Sequence, residues 1–382
     1  MRISIGIMLW NEEASIGPVI DSLFKQTLIA KSITGVDGVD LAVLANGCTD
    51  ESIPNAHAAL DRNLVDCHVP YVSTRVIELP KGRQPTWNKF IHHLTPVDTE
   101  YIFCMDADIV IADPKALENM LFGLEANPGQ HVATADGIKH IELFDRRSLW
   151  QTLTLEMTRM FHDARSYRVN GQLYCGRVNF FRSIEFPKGF VCGDDGFIGM
   201  MAISNLMTTE SELDRICYLD RPTYVYEAYL SPSRLFRQHR RRMVGAITNA
   251  MIRDYVTAKQ VDHKPDAGVI LRRECKENPE WFNNCVAEQI RQRGFWVAPF
   301  RGVKYRFTQL RGLSIRKKIL RFPLACAGAI WSLGLIIAAN QMFRSGTYNG
   351  AWENVPNSEA LDSLLSGTSS GKLPRASIDE KH

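Results

Sequence analysis

Apolar positions in the first hundred residues follow two periods. Residues 3–9, 39–44, 74–79 and 101–105 are short, nearly continuous apolar runs bounded by polar turns, which predicts buried strands. Between them, residues 12–26 carry Ile16, Val19, Ile20, Leu23 and Phe24 at helical spacing. Residues 52–60 and 86–94 read as further helices. Strands alternating with helices at this pitch predict an α/β unit, a mostly parallel sheet with helices on both faces. In such sheets ligands bind beyond the carboxyl ends of the strands.

One run ends unusually. In YIFCMDADIV, from 101 to 110, an apolar strand gives way to Asp106 and Asp108 before apolar residues resume. Residues i and i+2 of an extended chain point the same way, so both carboxylates are expected to face one cation. A hard divalent ion is held by one or two carboxylates plus substrate phosphates. The alternative is a loop whose acids cap the next helix, although Asp113-Pro114 is the better cap.

Composition narrows the class only a little. The chain has 382 residues, is 45% hydrophobic, and has a net charge of +3. That length supports a large core and more than one structural unit. Nine dispersed cysteines without metal-ligand spacing are expected to be reduced thiols rather than a disulfide framework. MRISIGIMLWNEE reads as a first strand rather than a signal peptide.

Several polar stretches follow the apolar runs in order: WNEEASI, LANGCTDES, KGRQPTWNK, MDADI, NGQLYCGR, CGDDGFI and RQHRRRMVG. This series resembles the inverting family 2 glycosyltransferases over about two thirds of the chain. The single motifs are loose, but their common order is specific. The resemblance implies a GT-A fold, a Rossmann-like mostly parallel sheet, and a nucleotide-sugar donor. It implies that Glu12 and Glu13 approach the nucleoside, with Trp10 in place of the usual tyrosine. Read without it, Asn11 is a helix cap and the two acids favour the helix dipole. Asn46 is the candidate for a base edge, with Asp50 behind it; the bland alternative is an Asn-Gly turn. Lys81 and Arg83 are candidates for donor phosphates, or else belong to a solvated basic turn.

In CGDDGFI the resemblance makes Asp195 the base and places Asp194 with the donor. An inverting transfer needs one carboxylate to take the acceptor hydroxyl's proton. A glycosidase using Asp194 and Asp195 as a pair is excluded, because its carboxylates must flank the bond at least ~5 Å apart. In RLFRQHRRRMVG, Gln238 and Arg241 match a Gln-x-x-Arg-Trp motif, with Arg241 expected on the diphosphate. Arg242 stands where the tryptophan would be, which removes a stacking platform and favours transfer of a single sugar. Without the resemblance, five arginines between 234 and 242 are a basic helix face against anionic lipid. No nucleic-acid motif accompanies them, so no nucleic-acid partner is expected. Gly171 is expected to admit a sugar close to the backbone, or to form an ordinary turn.

Residues 322–343 carry no charge, and residues 301–321 before them hold eight Lys or Arg and no acid. The apolar part is near the lower limit for a span of ~17–25 residues. It is expected to be a membrane helix, either crossing or lying in the interface, with a buried helix as the alternative. The basic flank places the catalytic part on the cytoplasmic side of the inner membrane. The expected organisation is a catalytic unit over 1–230, basic interfacial helices over 231–321, a hydrophobic membrane helix over 322–343 and a polar, partly disordered tail over 344–382. The reading is a Mg²⁺- or Mn²⁺-dependent transferase moving one sugar, from a UDP-sugar, to a lipid-linked or cell-surface glycan acceptor in polysaccharide assembly. A non-catalytic sugar-nucleotide-binding subunit is the alternative. A nucleotidyltransferase fits less well, since WNEE is acidic where a triphosphate loop would be basic.

Overall fold

The computed structural model describes residues 1–350 apart from 68, 145–147, 149–150, 153–154, 156–168, 220, 222, 229, 295, 299, 309 and 313. The tail expected beyond 344 lies outside the described residues from 351 onward.

The first four apolar runs form strands β1 (Arg2–Leu9), β2 (Gly38–Asn46), β3 (Val72–Leu79) and β4 (Thr99–Asp106). They pair in parallel in the order β3-β2-β1-β4. After β5 (Ile109–Ile111), three more strands extend the sheet: β6 (Val132–Thr134), β8 (Leu173–Arg177) and β9 (Ile216–Tyr218). The sheet order is β3-β2-β1-β4-β8-β6-β9, with only β8 antiparallel to its neighbours. β7 (Gly137–Lys139) and β10 (Tyr224–Tyr226) join β5 in a smaller sheet of three strands. The expected α/β class is therefore the observed one.

The period of two along each strand divides the core into two layers. Ile3, Ile5, Ile7 and Leu9 of β1, with Leu41 and Val43 of β2, face one layer. That layer is closed by helices Ile16–Phe24, Ser52–Val65 and Ala116–Ala126. Met8, Ala42, Leu44, Ile102 and Cys104 face the other layer. There they meet Trp87 of the helix Arg83–Lys89 and Phe197 of the helix Asp194–Ile203. Each fully buried side chain of this size contributes about 1.5–3 kcal/mol. The second layer runs on without interruption into the helices Pro232–Lys259 and Ile315–Arg344, through Val244, Ile336 and Phe343. A boundary at 230 therefore does not separate two cores.

The C-terminal helix is longer than the apolar run, Ile315–Arg344 with Pro323 inside it. By length and composition it could cross a membrane, and 28% of its most apolar window is buried. One face packs on the protein. Trp331 donates to His239 Nδ1 at 3.2 Å and stacks edge-on against Phe236. Asn340 is fully buried and accepts from the Ala298 N–H at 2.8 Å. The opposite side presents Ile319 (70% exposed), Phe322, Ile330 (73% exposed), Leu333 and Ile337.

Candidate active site

Parallel pairing brings the carboxyl ends of β1, β2, β3 and β4 to one edge of the sheet. Every motif that followed those strands therefore meets there. β8 runs the other way and begins at the same edge, where Gln172 C=O accepts from the Asp106 N–H at 2.9 Å.

The loops after β1 and β2 are stitched together. Asn11, in the left-handed region at φ 53°, accepts from the Thr49 N–H at 2.8 Å. It does not cap the following helix, which starts after Ser15. Glu13 is exposed and its carboxylate accepts from the Glu51 N–H at 3.1 Å, tying it to the start of the helix Ser52–Val65. Asn46 is buried, and its Oδ1 accepts from the Gly82 N–H at 2.5 Å. That oxygen positions the basic loop and is already engaged. Gly47, at φ +68°, lies where a Cβ would come within 2.8 Å of Lys81 Cβ. Only glycine allows the two loops this close. Lys81 is exposed and its Nζ sits 4.3 Å from the Trp10 ring centroid, a cation held over an aromatic face.

Arg83 is turned inward. Its guanidinium is inside, donating to Asp106 Oδ1 at 2.5 Å, Asp194 Oδ2 at 2.9 Å and Gly171 O at 3.0 Å. Asp194 is buried, and Gln84 donates to its other oxygen at 3.3 Å. Asp194, expected with the donor, here accepts from Arg83 and Gln84. Its neighbour Asp195 is only half-buried, in the first turn of the helix Asp194–Ile203. Asp195 Oδ1 accepts from the Gly196 N–H at 2.7 Å. Burial and the adjacent Asp194 push its carboxyl above the usual carboxylate range. Gly171 lies close to Asp195, where a Cβ would come within 3.1 Å of Asp195 Cβ.

The two aspartates after β4 differ from the extended i, i+2 expectation. Asp106 ends the strand, whereas Asp108 lies in a turn before β5. β5 is set by pairing with β10, Ile109 opposite Tyr226. The carboxylates still interact: burial and Asp106 push Asp108 up to about 7. Burial, Asp108, Asp106 and Glu227 push Glu12 up to about 9. Glu227, missed in the sequence, is buried just beyond β10. Its only signal was an acid at a strand end, as at Asp106.

A divalent cation fits this arrangement. Asp108 Oδ1 is buried without a hydrogen-bond partner, an acceptor aimed at something the protein does not supply. Asp106 shares one oxygen with Arg83 and Glu12 adjoins both acids. Among the described residues no group of three or more His, Cys, Asp or Glu is placed to hold a metal, so a cation here would be completed by water and substrate oxygens. A stability test follows. Carboxyls whose folded pKa is raised stabilise the fold while protonated, and that contribution is lost as pH rises through about 7 for Asp108 and about 9 for Glu12. Chelator-treated protein is therefore expected to lose several degrees of Tm between about pH 6 and about pH 9. Added Mn²⁺ should flatten that slope, because the cation replaces the protons. Equal slopes with and without Mn²⁺ would count against the metal site.

Arg241 and Asp195 are brought in by one close approach. Gly193 (φ +89°) and Gly245 touch so closely that a Cβ on Gly193 would lie 2.9 Å from Gly245 Cα. Asn249 Nδ2 donates to Gly193 O at 2.8 Å, and Cys192 Sγ to Arg241 O at 3.4 Å. The helix Pro232–Lys259 thereby lies along the start of the Asp195 helix, and the Arg241 charge acts on Asp106 and Asp108. Gln238 lies three residues earlier on this helix; among the described residues its side chain makes no hydrogen bond to the site.

No protein-family model matches the chain, and no curated protein sequence matches it. Solved structures do. Glucosyl-3-phosphoglycerate synthase from Mycobacterium tuberculosis, in complex with Mn²⁺, UDP-glucose and phosphoglyceric acid, is 16% identical, with 65% of this chain and 79% of that chain covered and a TM-score of 0.43. The same enzyme with Mg²⁺ and UDP gives 16% identity, the same coverage and a TM-score of 0.44. A mycobacterial protein is 18% identical over 65% of this chain and 74% of that chain, with a TM-score of 0.44.

Proposed function

We propose that the chain is a metal-dependent inverting glycosyltransferase of the family 2 type, moving one sugar from a nucleotide sugar, a UDP-sugar, to a lipid-linked or cell-surface glycan acceptor. The observation that carries this reading is the convergence at one sheet edge of an orphaned carboxylate oxygen on Asp108, the cations Lys81 and Arg241, and the half-buried Asp195. Asp108 and Asp106 would hold Mg²⁺ or Mn²⁺. When bound, the ion supplies charge that offsets the leaving diphosphate. Lys81 and Arg241 bind the phosphates and offset the same developing charge. Asp195 removes the acceptor hydroxyl's proton as its oxygen attacks the anomeric carbon from the face opposite the diphosphate. Its raised pKa makes it a better base than an ordinary aspartate. Arg83 holds Asp106, Asp194 and the Gly171 carbonyl in register.

The test is metal-dependent release of the nucleoside diphosphate from a panel of UDP-, GDP- and dTDP-sugars, with membrane lipid extract as acceptor. Binding of a donor without release by any acceptor would move the reading to a sugar-nucleotide-binding subunit.

The same proposal places the protein at the cytoplasmic face of the inner membrane, with the C-terminal helix in the interface. Support comes from its two faces: Trp331 and Asn340 packed on the protein, and Phe322, Ile330 and Ile337 exposed. Exposed Arg316, Lys317, Lys318 and Arg321 precede the stripe, suited to an anionic leaflet. Full-length protein should float with phosphatidylglycerol vesicles, and I330E with I337E should cut that fraction several-fold. Complete release of wild type by salt alone would show that the stripe does not insert.

A further inference from the structure

Asn249 lies on the helix Pro232–Lys259, one turn beyond Gly245. Its Nδ2 donates to Gly193 O at 2.8 Å. A Cβ on Gly193, or one on Gly196, would come within 3.1 Å of the same nitrogen. The amide is therefore seated between the two glycines that bracket Asp194 and Asp195. Gly193 is in the left-handed region at φ +89° and opens the helix Asp194–Ile203. Asp195 follows it by two residues, and its Oδ1 accepts from the Gly196 N–H at 2.7 Å.

The fold gains little from this amide. Gly193 O also accepts from the Phe197 N–H at 2.9 Å, so it stays paired without Asn249. Asn249 Oδ1 is buried with no hydrogen-bond partner, which costs free energy. An apolar side chain of the same shape would strand no carbonyl and would remove the orphaned oxygen. The two helices are joined in any case by Phe197, Ile198, Val244 and Ile247, which pack in one core. What the amide alone supplies is a fixed distance to the Gly193 turn. A methyl group in place of Nδ2 cannot rest 2.8 Å from a carbonyl oxygen. Carbon–oxygen contacts of that kind sit at about 3.3–3.6 Å, so the turn would back away by about half an ångström.

We propose that Asn249 is a positioning residue for Asp195, holding the Gly193 turn so that the Asp195 carboxylate meets the acceptor hydroxyl at proton-transfer distance. This role rests on the transferase reading with Asp195 as base; the tie between Asn249 and the turn does not. Proton transfer needs the two oxygens within about 2.6–3.2 Å, so half an ångström is a large share of the tolerance. Misplacement on the order of 1 Å costs roughly 10²-fold in rate.

The experiment compares full-length wild type with Asn249→Leu, Asn249→Ala, Asp195→Asn and the double variant Asn249→Leu with Asp195→Asn. Each is measured for Tm, for UDP binding with Mn²⁺, for nucleoside-diphosphate release from the donor that supports it, and for amide hydrogen exchange over residues 193–197. Asn249→Leu is expected to keep the wild-type Tm and to lower kcat roughly tenfold. KM for the donor and UDP affinity should stay within about threefold. The Gly196 and Phe197 amides should exchange faster in both Asn249 variants, since their hydrogen bonds lie in the released turn. Added to Asp195→Asn, the leucine should cause no further loss, because the two residues act as a unit. Wild-type turnover and exchange in both Asn249 variants would overturn the proposal. So would a full tenfold extra loss in the double variant, or a Tm that falls in step with kcat, either of which makes Asn249 a support of the fold at large. If Asp195→Asn turns over as wild type does, the reading of Asp195 as base falls and the positioning role with it. The tie itself is sunk separately, by exchange that the Asn249 variants leave unchanged.

Discussion

Asp195→Asn is expected to lower nucleotide-diphosphate release by roughly 10²–10⁴-fold while UDP binding persists. Asparagine keeps the shape of the side chain and can still accept from the Gly196 N–H. It cannot accept a proton. It also removes the repulsion from Asp194 that, after burial, raises the Asp195 carboxyl. The variant's Tm should therefore equal or exceed that of wild type, which separates lost chemistry from lost folding. In wild type the acid limb of kcat/KM should lie above the ordinary aspartate value of about 4, since the base works only when deprotonated and its pKa is raised. Wild-type turnover in the asparagine variant would remove Asp195 from the mechanism.

The second large effect is structural. Arg83→Met removes a guanidinium whose side chain is only 10% exposed and which bridges Asp106 and Asp194. Buried Asp194 and half-buried Asp106 are left without their counterion, at a cost of about 3–5 kcal/mol. For a chain of this size that is a fall in Tm of about 4–6 °C. Release of nucleotide should fall as well, because Asp106 and the Gly171 carbonyl lose their common anchor. Adding Asp194→Asn should recover part of the stability, since one uncompensated charge disappears. Scanning calorimetry of the single and double variants decides it; a single variant within a degree of wild type would show that the bridge contributes little.

Local pattern carried the framework. The runs at 3–9, 39–44 and 101–105 became β1, β2 and β4 with ends shifted by no more than two residues. Continuous apolar runs are what strands buried on both faces require. Parallel order then put the motif loops at one edge, and that much of the site was legible. The details were less so. Strand alternation predicts Asp106 and Asp108 as one extended pair, but β5 pairs with a strand more than a hundred residues later and a turn separates it from β4. In sequence Arg83 is a candidate for donor phosphates or part of a solvated basic turn, because a basic residue in a loop looks solvated until its partners are known. Its partners come from residues 106, 171 and 194. Asp194 and Asp195 are chemically alike in sequence, yet one is buried against Arg83 and the other half-buried.

What the sequence determined by itself is the class of sheet, the order of its parallel strands' loops and the residue types that crowd its edge, since periodicity and strand-end chemistry are local properties. Only the tertiary structure decided which acid is sequestered and which is half-exposed, that Asn46 holds a loop, and that Gly193 and Gly245 bring the helix carrying Arg241 against the start of the Asp195 helix. Those outcomes depend on burial and on charges brought together from distant segments, and neither quantity exists until the chain has folded.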